Sequence, residues 1–245
     1  MKLIVCAVGS SFSSTWLTEW TRLVSGLTSA GHEVTARISN ESLKTDDAAL
    51  RWAFGEREKP FLAEGYDAAV ILHHSVFPRL DDVTALLASP HGMTTAVFTN
   101  EPGTGLDSIV EWDDARLGQP DANFKAVTLP EKEPESDEER YVAVQACSLC
   151  MAVMTREAVE KVFRSEEGSS SGSAAPVDPF ERAVEVKTTV PAPTEEDKDA
   201  TREVVRRMRL EPSVAFLRRA VEAGVAPVCD VTVRAIRKTQ GISRP

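Results

Sequence analysis

The stretch from Tyr66 to Leu87, YDAAVILHHSVFPRLDDVTALL, restricts the fold more than any other part of the chain. Five consecutive apolar residues, Ala68 to Leu72, stop at the polar triplet His73-His74-Ser75. After Pro78 the pattern turns helical, with Val83, Leu86 and Leu87 at amphipathic spacing. A short run that is apolar at every position needs cover on both faces, the situation of a central strand in an α/β sheet. Ligands of open α/β sheets gather at the carboxyl ends of such strands. His73, His74 and Ser75 therefore mark the edge where a site is expected.

The flanking segments repeat the pattern. Residues 3–8 read as a buried strand, 9–14 as a small-residue loop, and 16–30 as a helix with apolar residues at 16, 17, 20, 23, 24 and 27. Ser13 or Ser14 can cap that helix, and Gly31 ends it. Residues 32–38 alternate as a second strand, so the first elements form a βαβ unit with a parallel pair. A further helix is expected over 46–54 and a parallel-type strand over 93–98, ending at Thr99-Asn100-Glu101. Residues 101–140 are polar, with short strands at 109–112 and 124–129. An apolar segment, 141–154, leads into a helix at 155–163 with Thr155 as its cap. The low-complexity run 165–175 belongs to a mobile loop spanning 165–200. Residues 195–209 read as a charged, exposed helix, 212–223 as an amphipathic helix stopped by Gly224, and 225–233 as the last strand. The expected fold is α/β: one domain over 1–245, with a mainly parallel central sheet flanked by helices.

Composition narrows the partners. A formal net charge of −10 disfavours an extended nucleic-acid backbone. No apolar run reaches the roughly 18–20 residues of a membrane span. Four scattered cysteines make no disulfide framework, which suits a reducing cytoplasm. Cys147-Ser148-Leu149-Cys150 is neither a zinc nor a redox motif by this reasoning: no second pair completes a zinc site, and small cysteines bury easily. The first loop lacks G-x-G-x-x-G, and no Walker motif, H-E-x-x-H or G-x-S-x-G is present.

Four stretches, in order, carry a family resemblance: SFSSTWLTEWTRLVSGLTSAGHEV with ISN and LRWAFG; YDAAVILHHSVFPRLDDVTALL; VQACSLCMAVMTREAVEKV; and EPSVAFLRRAVEAGVAPVCDVTVRAIRK. Together they cover about half of the chain and resemble a GT-A-fold glycosyltransferase, of the compact phage- and virus-encoded type related to family 2 enzymes. The resemblance implies a GT-A-like nucleotide-diphospho-sugar transferase domain, with a nucleotide-binding half over 1–100 and an acceptor half over 101–245. It implies transfer of a sugar from a nucleotide-sugar donor to an acceptor hydroxyl on a protein, glycan, lipid or modified nucleic-acid base. The compartment would be the cytoplasm, that of the host if the chain is phage-encoded. The same resemblance admits an inactive pseudo-glycosyltransferase that serves as a binding or assembly subunit, oligomeric or paired with an active relative.

Residue by residue, Ser10, Ser11, Ser39 and Asn40 fall where the family contacts nucleobase and ribose, and Arg51 where it has an arginine. His73, His74 and Ser75 occupy the Asp-x-Asp positions that hold Mn²⁺ or Mg²⁺ on the donor diphosphate. His73 and His74 thus read either as weak metal ligands or as polar residues closing a buried strand. Pro212 and Ser213 replace the acidic pair that supplies the catalytic base, which leaves Glu211, or Glu101 on the sugar side, as the candidate base. Glu211 also reads as a simple partner of a helix dipole. Arg237, with Lys238 beside it, stands where the family often has a metal-binding histidine. Guanidinium groups pair directly with diphosphates, so Arg37, Arg51, Arg237 and Lys238 suggest a metal-independent donor site; the alternative is a solvated basic tail.

Overall fold

Strand β1, Lys2–Val8, is buried along nearly its whole length, and alternate side chains serve two different cores. Leu3, Val5 and Ala7 point one way; Ile4, Cys6 and Val8 point the other. The computed structural model describes residues 1–9, 11–39, 65–97, 108–112, 124–163, 183–191 and 201–235.

Helix α1, Ser14–Ser29, follows β1. Its apolar stripe, Trp16, Trp20, Leu23 and Leu27, is buried against the Leu3 face of β1. Each such side chain contributes roughly 2 kcal/mol by leaving water. Ser13 caps the helix by accepting the Trp16 N–H, and Gly31 follows its end at φ 88°. Strand β2, Glu33–Ile38, then pairs parallel to β1, as the βαβ pattern requires. Strand β3, Ala68–His73, pairs parallel to β1 on its other side. Helix α2, Leu80–Leu87, returns across the α1 face, burying Val83 and Leu86. The Trp16 indole N–H donates to the Val76 carbonyl at 2.7 Å, so the buried ring keeps a polar partner at the start of that return.

Strands β4, Met93–Val97, β5, Tyr141–Ala143, β6, Met151–Thr155, and β9, Val228–Arg234, complete a seven-stranded sheet in the order β2-β1-β3-β6-β4-β9-β5. The short helix α3, Asp137–Arg140, precedes β5. Helices α4, Arg156–Phe163, and α5, Pro212–Glu222, cover the second face through Val159, Val162, Phe163, Phe216, Leu217 and Ala220. The protein is α/β, a mixed sheet flanked by helices on both faces. No helix among the described residues is long and apolar enough to cross a membrane.

The sheet is less uniformly parallel than expected. β6 lies antiparallel between β3 and β4, and β5 antiparallel to β9, against parallel pairs β1–β2, β1–β3 and β4–β9. The cause is the path of residues 144–150. The chain leaves β5 beside the start of β9, where the Val144 N–H donates to the Pro227 carbonyl at 3.0 Å. It reaches the end of β3, where the His73 N–H donates to the Cys150 carbonyl at 2.8 Å, before β6 begins. β6 can then only run downward.

Three further expectations are corrected. Residues 201–209 are not helical: they form strand β8, Thr201–Arg209, paired antiparallel over nine positions with β7, Ala183–Pro191. Residues 183–191 are thus a strand where a loop was expected; 165–175 and the helix at 46–54 lie outside the described residues. The last strand starts at Val228 rather than 225, because residues 223–227 are needed to turn the chain back from α5.

Candidate functional site

β1, β2, β3, β4 and β9 all run in one direction, so their carboxyl ends share one edge of the sheet. Three of these ends are locked together. The Ser39 N–H donates to the Ala7 carbonyl at 2.9 Å. Its buried hydroxyl donates to the Gly9 carbonyl at 2.6 Å and accepts the Gly9 N–H at 3.1 Å. The His74 N–H donates to the Val8 carbonyl at 2.9 Å and so ties the end of β3 to that of β1. Gly9 itself has φ 145°, and a Cβ there would lie 1.9 Å from His74 Nδ1. Glycine is therefore required twice, by the backbone angle and by the imidazole that fills the missing side chain's place.

The imidazoles of His73 and His74 are 4.2 Å apart between centroids, and His74 meets Phe12 edge-on at 6.2 Å. Phe12 packs on Trp16, so the histidine pair is backed by the α1 core. His73 Nδ1 accepts the Ser75 N–H at 3.2 Å and lies 2.7 Å from Ser75 Oγ. Accepting that N–H requires a lone pair on Nδ1, which leaves Nε2 as the protonated nitrogen of the neutral ring. Ser75 Oγ is also 3.8 Å from Cys150 Sγ, which Ser148 Oγ approaches to 2.9 Å. The sequence thus brings Ser39, His73, His74 and Ser75 together with Gly9. Two imidazoles, one with Nδ1 already engaged, fall short of the converging donors that Mn²⁺ or Mg²⁺ takes; among the described residues no group of three or more His, Cys, Asp or Glu could hold an ion. The described residues by themselves do not fit the metal.

Arg37 lies on β2 opposite Cys6, one position before the strand's end. Its cation opposes the burial that pushes the Cys6 thiol up to about 12. Burial likewise raises the Cys147 thiol, and the Cys229 thiol to about 11. All four cysteines are free and buried; no metal cluster forms among the described residues, and neutral buried thiols are poor nucleophiles. Glu211 is the N-cap residue of α5, with no side-chain capping bond. Five residues after Glu222 bring the chain to the start of β9, so the other end of α5, with Glu211, lies toward the carboxyl edge. Ser10, Asn40, Arg51, Glu101, Arg237 and Lys238 lie outside the described residues.

Two features escape a reading of the sequence. Trp112 and Phe124 stack, centroids 4.8 Å apart, against Leu210, Val214 and Ala215, the residues that flank Glu211. Asp230, wholly buried in β9, pairs with Arg140, whose Nε and Nη2 donate to Oδ2 at 3.0 and 2.8 Å. That bond to Asp230 is the main cause raising the Arg140 guanidinium's affinity for its proton. The only local signal was an acid inside the apolar run Val228–Arg234, which must find a partner somewhere.

No protein-family model matches the chain. No curated protein matches it. Among solved structures it is similar to "Crystal Structure of A197 from STIV", with a TM-score of 0.41 and 12% identity over 100% of this chain and 97% of that one.

Proposed function

We propose that this chain is a GT-A-like glycosyltransferase that moves a sugar from a nucleotide-sugar donor to an acceptor hydroxyl without a metal ion. The observation that supports it most is the convergence of Gly9, Ser39 and His73–Ser75 at the joined carboxyl ends of β1, β2 and β3. α/β sheets seat nucleotides at such ends. In this reading the donor lies over that edge. Arg37, Arg51, Arg237 and Lys238 supply the positive charge that a leaving diphosphate needs. Glu211 is the base: it takes the proton of the acceptor hydroxyl as that oxygen bonds to the anomeric carbon and the bond to the diphosphate breaks. A carboxylate that does not cap its own helix is free to do so. The stacked Trp112–Phe124 pair beside it offers an apolar face for a sugar ring.

The second reading is a non-catalytic binding or assembly subunit. It is favoured by the pair of histidines where the resembling enzymes carry two aspartates, and by the exposure of Glu211, whose side chain makes no capping bond. Glu211→Gln separates the two. With a donor that binds, the substitution is expected to lower sugar transfer by about 10²–10⁴-fold while leaving donor affinity unchanged. Equal rates would remove Glu211 as base, and donor binding with no transfer by the wild type would favour the subunit.

A further inference from the structure

A cleft of about 510 Å³ opens beside the last strand, lined by residues 130–134, Arg140, Thr232 and Arg234. Arg140 precedes β5 and Arg234 ends β9, so the cleft lies at the same sheet edge as His73. Three strand steps separate them, about 14 Å. The cleft is a second place, not an extension of the histidine cluster.

Its chemistry is set by Arg140. The guanidinium is held from behind: Nε and Nη2 donate to Asp230 Oδ2, and its carbon lies 4.9 Å from the centre of the Tyr141 ring. Asp230 has no further capacity for a ligand, because Oδ1 already accepts the Thr232 N–H at 3.0 Å and the Thr232 hydroxyl at 2.6 Å. A buried ion pair adds little net stability over an apolar pair of equal volume, so its physical value here is in fixing a direction. Two of the five guanidinium N–H groups are taken by Asp230; the outward Nη1–Nη2 edge is left on a side chain that is 30% exposed and lines the cleft. That free edge is a fork matched to two oxygens of an oxyanion. Arg234 and Lys132 border the same space, both exposed, and among the described residues neither forms an ion pair. Glu131 and Glu133 sit on the rim, also exposed, where water screens them.

We propose that this cleft is an oxyanion site for a phosphate group, gripped end-on by Arg140, with Arg234 and Lys132 closing over it and the rim glutamates weakening the grip. The site does not depend on the glycosyltransferase reading; within it, the phosphate would belong to a phosphorylated acceptor.

Calorimetric titration of the full chain with inorganic phosphate and with pyrophosphate, at ionic strength held constant with chloride, tests the site. Saturable binding is expected, weakened about 5–10-fold by Arg234→Gln and by Lys132→Gln. Glu131→Gln with Glu133→Gln is expected to tighten binding by about 2–5-fold, since two repelling charges are removed. Arg22→Gln, on the exposed side of α1, should leave it unchanged. These side chains are exposed, so circular dichroism should show the fold intact. The proposal is overturned by the absence of saturable binding, by Arg234→Gln and Lys132→Gln variants that bind like the wild type, by loss of binding in Arg22→Gln, or by glutamate variants that bind more weakly, which would indicate a polyol or cation instead.

Discussion

Arg140→Ala is expected to lower the unfolding free energy by about 3 kcal/mol and the melting temperature by roughly 6–12 °C. The cost falls on the residue left behind. Asp230 is 0% exposed, and without the guanidinium its Oδ2 loses both of its donors, while Thr232 serves only Oδ1. Asp230→Ala should cost less, because Arg140 is 30% exposed and can turn toward solvent. The double variant should be more stable than the two single losses add up to, with a coupling of about 1.5 kcal/mol or more, read by chemical denaturation. Additive losses would mean that the pair does not hold the β5–β9 edge together.

Gly9→Ala is expected to be at least as damaging, by about 3 kcal/mol, for two separable reasons. The backbone at φ 145° is one that L side chains rarely adopt, and the new methyl would sit 1.9 Å from His74 Nδ1. Adding His74→Ala removes the collision but not the backbone cost, so the double variant should regain part of the loss and keep about 1–2 kcal/mol of it. Melting of the three variants checks this. Full recovery in the double variant would show that the angle carries no strain, and no loss in Gly9→Ala alone would contradict the tight join between β1 and β3.

The elements that could be read from the sequence are those whose pattern is local. β1 and β3 are apolar at consecutive positions because both sheet faces are covered, and α1 shows its buried stripe at helical spacing with a serine cap in place. The same locality located Ser39, His73, His74 and Ser75 at strand ends. What could not be read depends on distant partners. The run TREVVRRMR is rich in charge and lacks strict alternation, so it resembles an exposed helix; nine pairings with β7 make it a strand. The direction of β6 follows from the path of 144–150 rather than from MAVMT itself. Arg140 and Asp230 are 90 positions apart, and nothing near either one names the other. Gly9 could be identified as a loop glycine, but the imidazole that demands it is supplied by β3.

The claim that β1, β2 and β3 end in a metal-independent nucleotide-sugar seat is tested most directly by melting the wild-type protein with millimolar UDP-, GDP- and dTDP-sugars, each with and without EDTA. A ligand that binds only the folded chain stabilises it by RT ln(1 + [L]/Kd), about 4 kcal/mol at a thousandfold excess over Kd. The expected result is a rise of several degrees with at least one nucleotide-sugar, the same in EDTA as without it. An unchanged melting temperature with all three nucleotides, or a rise that EDTA removes, would contradict it.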